Sequence, residues 1–233
     1  MDKRYKTAAV ILAAGSGQRM GRELPKQLIE LRGKSVLERS VEAFCSSEVV
    51  DSVTVVTRAE ELELVKNECK DFDKVKNVII GGKSRAESAS KGFYAVENDC
   101  DFVLIHDACR CLVTKKEIED VARAAHESGA ATAAVRVVDT LKKCDESGRV
   151  LNTVSRDNLW AVATPQAFSC ELYRRAIDAA PLLDARITDD NMLMEKIGVK
   201  VQCVMTLGTN IKITTPSDLE LAEFIISKRE SRG

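Results

Sequence analysis

An α/β fold, with a mostly parallel sheet covered by helices on both faces, follows from two features of the sequence. Short apolar runs alternate with longer helical patterns, and hydroxyl–acid start signals stand at several helix openings. No repeat or low-complexity segment interrupts this rhythm, so the whole chain, residues 1–233, is expected to form one domain.

The elements follow in order. Residues 8–13 form an apolar run that reads as the first strand, and 53–57 read as the second. Residues 61–70 predict a helix with Leu62, Val65 and Cys69 on one face. A third strand is expected at 78–80 and a fourth at 102–105. Residues 115–128 predict a helix that buries Ile118, Val121, Ala122 and Ala125, followed by a strand at 132–137. Ser84/Glu87, Thr114/Glu117 and Thr215/Asp218 each place a hydroxyl cap three residues before an acid, the last with Pro216 at the first helical position. Residues 139–154 break the pattern as two extended runs around "DESG", a hairpin turning at Gly148 with short, polar strands. It reads equally as an arm that packs on a second subunit or as an exposed flap.

Composition excludes some functions. The chain is 45% hydrophobic and 30% charged, with a formal net charge of −1. That balance gives no long-range attraction to nucleic acid or to an anionic membrane, and no apolar run approaches a membrane span. With no leader-like apolar segment after the first residues, a cytoplasmic location is expected. The eight cysteines are scattered through the predicted elements and read mostly as small buried hydrophobes. His106, Cys109 and Cys111 lie close together in "HDACRC", but no second ligand pair with zinc spacing accompanies them.

The loop after the first strand is "AAGSGQRMGRELPKQ". Gly15, Gly17 and Gly21 lack the G-x-G-x-x-G spacing, and Pro25 would break the long helix a dinucleotide loop must open. No Walker sequence is present. Arg58, after the second strand, could imitate a reader of the NADP 2′-phosphate, but the first loop does not suit that cofactor. A glycine loop flanked by two permanent cations, Arg19 and Lys26, remains, and it suits phosphate.

If the first four strands wind in 3-2-1-4 order, strands one and four meet at the switch point where α/β sheets bind ligands. The fourth strand then delivers Asp107 and Arg110 opposite the loop, with Asp107 placed to help hold Mg²⁺ on a triphosphate. The third strand ends in "GGKSRAES", where Gly81 and Gly82 either make a plain turn or, with Ser88, cradle a base or ribose. No nucleophile–base pair stands out. Positioning and charge neutralisation suffice for nucleotidyl transfer, in which a substrate phosphate attacks.

In order, "LAAGSGQRM" with "PKQ", "GGKSRAES", "HDACR", "DTLK", "TVSRDNLWAVATPQAF", "ITDD" and "NIKIT" resemble the 2-C-methyl-D-erythritol 4-phosphate cytidylyltransferase family over residues 8–224. The resemblance implies a Rossmann-like fold with a protruding β-hairpin arm. It implies joining CTP and methylerythritol phosphate into CDP-methylerythritol and pyrophosphate with Mg²⁺ or another divalent cation. It implies that Ala13, Ala14, Gly15, Gly82, Ser88 and Ala108 line the CTP pocket. Arg19, Lys26 and Lys212 would neutralise the triphosphate, and Asp107 would serve the metal and the acceptor. Arg110, Thr140, Arg156 and Thr188 would hold methylerythritol phosphate. It also implies a homodimer through the 139–154 arm, with Thr140 and Arg110 serving the partner's site. Trp160 and Phe168 read as packing rather than as base-stacking residues.

The chain departs from the family pattern at Cys111, where proline is usual, at Lys83, where an acid is common, and after Asp190, where "NMLME" follows. Two other functions fit the same residues less well: a ribitol 5-phosphate cytidylyltransferase, and a nucleotide-binding regulator without turnover. "DTLKK" and the arginine of "TVSRDNLW" point away from the first. Keeping Arg19, Lys26, Asp107 and Lys212 together points away from the second.

Overall fold

The computed structural model describes residues 4–15, 25–96, 98, 100–180 and 187–231. The first apolar run forms β1 (Thr7–Leu12), and its period-two alternation sets the layers of the molecule. Ala9 and Ile11 enter one apolar cluster with Leu37, Phe44, Ile118 and Val121. Val10 enters another, on the opposite face, with Ala89, Phe93 and Tyr173. A strand buried on both faces carries no polar alternation, which is why it reads as a continuous apolar run.

After the loop, β2 (Glu30–Leu31) and β3 (Lys34–Ser35) pair briefly and lead into α1 (Val36–Ser46). There follow β4 (Ser52–Thr57), α2 (Leu62–Cys69), β5 (Val75–Ile80), α3 (Arg85–Tyr94), β6 (Phe102–Asp107), α4 (Lys115–Ser128) and β7 (Ala130–Arg136). The parallel strands β5, β4, β1 and β6 stand side by side in that order, the 3-2-1-4 winding expected from the sequence. Strand β6 runs on through His106 and Asp107, past the predicted end, because both pair in register with β1.

The hairpin forms as β8 (Leu141–Cys144) and β9 (Val150–Val154), with Gly148 at φ +83° in the turn. Asp145 Oδ1 accepts from the Ser147 and Arg149 amides and fixes that turn. Every residue of both strands is exposed. The strands are less polar than expected, since Leu141, Val150, Leu151 and Val154 stand in solvent.

The second half departs from simple winding. Strand β10 (Trp160–Ser169) inserts antiparallel between β6 and β7, and its register shifts between Val162 and Gln166. Pro165 lies in that interval, where a residue without an N–H breaks no ladder bond. Helices α5 (Cys170–Asp178) and α6 (Asn191–Lys196), strand β11 (Gln202–Met205) and α7 (Pro216–Glu230) complete the chain. Helix α7 closes a third apolar cluster over Cys109, Cys111 and Ile213. Cys111 is therefore a core residue, and burial pushes its thiol up to about 12. Phe168 is fully buried and stacks on Tyr173, while the half-buried Trp160 lies under the Arg136 guanidinium.

The start signals differ in detail. Thr114 with Glu117 and Thr215 with Asp218 form complete capping boxes. Ser84 caps α3 by accepting from the Glu87 amide, but the Glu87 carboxylate turns to the Lys83 amide at 2.7 Å. Helix α3 lies tight on the sheet. A Cβ on Gly92 would fall 2.3 Å from Val10 Cγ1, so only glycine allows this approach. Among the described residues, no helix is long and apolar enough to cross a membrane.

Candidate active site

A cavity of about 480 Å³ opens at the carboxyl ends of β1, β5 and β6, at the switch point of the sheet. Of the residues implicated by sequence, Ala13, Ala14, Gly15, Lys26, Gly82, Ser88, Asp107 and Lys212 all line it. Arg19 lies outside the described residues, as do Gly17 and Gly21.

Backbone pairing sets the floor. The Ala13 amide donates to Val56 O at 2.7 Å and the Ala108 amide to Leu12 O at 3.0 Å, so the end of β1 stays joined to β4 on one side and to the end of β6 on the other. Gly15 faces Lys26, and a Cβ on Gly15 would lie 3.8 Å from Lys26 Cε. Lys26 opens a short 3₁₀ turn directly after Pro25. On the third side, a Cβ on Gly81 would meet Ser88 Oγ at 2.8 Å and Ala14 Cβ at 3.0 Å. Glycine is required there by close approach, not merely by a turn. The Gly82 amide donates to Ser88 Oγ at 3.0 Å, and that hydroxyl donates to Ser84 O at 2.8 Å.

Asp107 is the electrostatic centre. Its Oδ1 accepts from Arg85 Nε at 3.1 Å and its Oδ2 from Lys212 Nζ at 2.7 Å. Burial alone would raise this carboxyl, but Arg85 and Lys212 outweigh it and hold Asp107 well below the usual carboxylate range. Arg85 Nη1 also donates to Asp190 Oδ2 at 2.6 Å, and Tyr173 OH donates to Asp190 Oδ1 at 2.6 Å. Burial disfavours the Arg85 cation, yet the two carboxylates more than restore it. Lys26, Lys83 and Lys212 thus line the cavity beside Asp107, with the Arg85 charge already shared between Asp107 and Asp190, and the lining keeps a cationic balance suited to a polyanion.

Behind Asp107, its amide donates to Thr164 Oγ1 at 3.0 Å, and Thr164 Oγ1 lies 3.1 Å from His106 Nδ1. Burial keeps His106 neutral down to about 3, against the opposing pull of Asp107. Asn210 Nδ2 donates to Thr164 O, and Arg110 Nη1 donates to Asn210 O, each at 2.9 Å. Burial also pushes the Cys109 thiol up, with the Lys26 ammonium beside it pulling the other way.

Several implicated residues stand off this cavity. Ala108 is fully buried, its carbonyl accepting from Ser40 Oγ at 2.7 Å, so it forms the wall behind the lining. Arg110 is half-buried and directed to Asn210. Thr140 and Arg156 are exposed at the base of the hairpin, where Arg156 bonds Val138 O. Thr188 is exposed and bonds Met192 Sδ at 3.4 Å. Lys83 is exposed at the rim.

Arg85, Thr164, Tyr173 and Asn210 were not singled out from sequence. Arg85 did carry a signal: a cation on the first residue of a helix opposes the positive end of the helix dipole and calls for a carboxylate partner.

A 2-C-methyl-D-erythritol 4-phosphate cytidylyltransferase family model (IspD) matches residues 7–228. The chain is 40% identical over 236 residues to the 2-C-methyl-D-erythritol 4-phosphate cytidylyltransferase of Alkaliphilus oremlandii, covering 100% of both chains. It is 40% identical to the enzyme of that name from Caldanaerobacter subterraneus subsp. tengcongensis, over 95% of this chain and 99% of the other. Among solved structures, the 4-diphosphocytidyl-2C-methyl-D-erythritol synthase of Anaerococcus prevotii superposes with a TM-score of 0.84 at 28% identity, over 96% of each chain.

Proposed function

Because this chain belongs to the 2-C-methyl-D-erythritol 4-phosphate cytidylyltransferase family, we propose that its cationic cavity transfers the cytidylyl group of CTP to 2-C-methyl-D-erythritol 4-phosphate, a step of isoprenoid biosynthesis. One observation carries this reading: Asp107 sits between Arg85 and Lys212 in the cavity that Gly15 and Lys26 also line, so cations converge where strands β1 and β6 end.

The chemistry needs no protein nucleophile. An acceptor phosphate oxygen attacks the α-phosphorus of CTP and forms the new P–O bond. The bond to the bridging oxygen breaks, and pyrophosphate leaves with the electron pair. Ala14, Gly15, Gly82, Ser88 and the wall at Ala108 form the nucleoside end of the cavity. Lys26, Arg19 and Lys212 neutralise the phosphates and the charge that builds on the leaving group. Arg110, Arg156, Thr140 and Thr188 hold the acceptor phosphate, with Thr140 and Arg110 reaching the partner's site in a dimer.

Asp107 fits a divalent cation such as Mg²⁺. It is a hard oxygen donor that stays ionised, and each oxygen accepts one hydrogen bond and so keeps a second lone pair. Asp107 would hold such an ion together with water and substrate phosphates. When bound, such an ion supplies charge neutralisation on the triphosphate.

The exposed apolar residues of the arm support dimerisation, since Leu141 and Val154 pair across β8 and β9 and the neighbouring Val150 and Leu151 are more than half exposed. A cytoplasmic location accords with substrates that are free phosphorylated metabolites. Incubation with CTP, Mg²⁺ and methylerythritol 4-phosphate tests the reading. Stoichiometric pyrophosphate and CDP-methylerythritol are expected, and CTP binding without turnover would reject it.

A further inference from the structure

The Asp107 carboxylate has two cationic partners of different character. Lys212 is a flexible chain, 39% exposed on the cavity wall. Arg85 is less exposed, at 23%, and is tethered at its far side to Asp190, whose side chain is 1% exposed. Asp190 is fixed in turn by the Tyr173 hydroxyl, and its amide donates to Gln166 Oε1 at 3.0 Å. A chain of charge-assisted bonds therefore runs from α5 through Asp190 and Arg85 to the end of β6.

The position of Arg85 is costly for its helix. As the first residue of α3 it adds positive charge to the positive end of the dipole. Its Nη2 is buried without a hydrogen-bond partner. Helix stability does not account for an arginine here, whereas reach to two carboxylates does.

Resting on the cytidylyl-transfer reading, we propose that Arg85 is a positioning residue for that reaction. It holds Asp107 Oδ1 so that Lys212, the mobile partner on Oδ2, is free to turn to the incoming phosphates. Without Arg85, Asp107 is left with a single cation and keeps Lys212 for itself. The carboxylate also loses its fixed plane. The nucleoside end of the cavity, at Gly82 and Ser88, lies on a separate set of contacts, so the defect belongs to kcat rather than to the KM for CTP.

The test uses pyrophosphate release with CTP and methylerythritol 4-phosphate, beginning with the wild-type chain. A wild type that binds CTP without turnover overturns the cytidylyl-transfer reading and this proposal together; an active wild type leaves the variants to judge Arg85 alone. Arg85→Met keeps the apolar stem but leaves Asp190 buried and uncompensated, and it can unfold for that reason alone. The double variant Arg85→Met, Asp190→Asn removes that charge and is the decisive construction. With its melting temperature restored, its kcat is expected to stay down about 10–100-fold, the range for losing a partner that orients a ligating group. Its KM for CTP is expected to stay within about threefold of wild type. Arg85→Lys, which keeps a cation beside Asp107, is expected to recover part of kcat. A double variant with wild-type kcat would show that Arg85 merely neutralises Asp190 and would overturn the proposal. So would an Arg85→Lys variant that folds but turns over no faster than the double variant.

Discussion

Replacing Lys26 by alanine removes the cation that lies against Gly15 in the cavity. At a contact of about 4 Å and an effective dielectric of about 20, a full charge pair is worth about 4 kcal/mol. That corresponds to about three decades in rate if the interaction exists only in the transition state. Some of it already acts on bound triphosphate, so the expected fall in kcat is about 10²–10³-fold, with a smaller rise in KM for CTP. The fold should hardly notice. Lys26 is half-buried on a three-residue turn, and the carbon skeleton around it is held by Gln27, whose Nε2 donates to Glu61 Oε2 at 2.5 Å. A stability loss of about 1 kcal/mol or less lowers the melting temperature by about 2–4 °C at this size. Steady-state pyrophosphate release and calorimetry on the same preparation measure both. Lys26→Arg, which keeps the charge, should recover at least about tenfold of the lost rate. A Lys26→Ala enzyme with kcat within about threefold of wild type would refute charge neutralisation as the source of catalysis here.

Both histidines of the chain are kept neutral by burial, His106 down to about 3 and His126 to a lesser degree. The unfolded chain takes up their protons near pH 6.5, so stability is complete above that pH and falls below it, by about 1.4 kcal/mol per pH unit for His106. Calorimetry between pH 7 and 5 should show that slope, and the pair His106→Asn, His126→Gln should flatten it; an unchanged slope would assign the effect to carboxylates instead. For the arm, Val150→Asp with Leu151→Asp places charge on side chains that are 60% and 61% exposed. Sedimentation should shift from dimer to monomer while the melting of the central sheet stays intact, and a variant that sediments as the wild type does would remove the arm from the interface.

Much of the architecture was legible because it rests on local patterns. Strands buried on both faces read as apolar runs, and the capping boxes at Thr114 and Thr215 marked where α4 and α7 begin. Helix α1 carried the same kind of signal, since Ser35 accepts from the Glu38 amide three residues on. The antiparallel course of β10 was not legible, because the order and direction of pairing are set by packing after collapse and leave no mark on strand periodicity. The site divides in the same way. Asp107 and Lys26 could be placed from the loops that carry them, but Arg85 acquires its role from Asp190, 105 residues away. Ala108 shows the converse: its position after β6 suggested the cavity, whereas its packing puts it one layer behind.

The acceptor decides the account most directly. With CTP and Mg²⁺ held constant, methylerythritol 4-phosphate and ribitol 5-phosphate are offered separately to the purified enzyme, and pyrophosphate and the cytidine diphosphate product are measured. Turnover with methylerythritol 4-phosphate, and at least about a hundredfold lower kcat/KM with ribitol 5-phosphate, is the expected result. Turnover with ribitol 5-phosphate alone would contradict it.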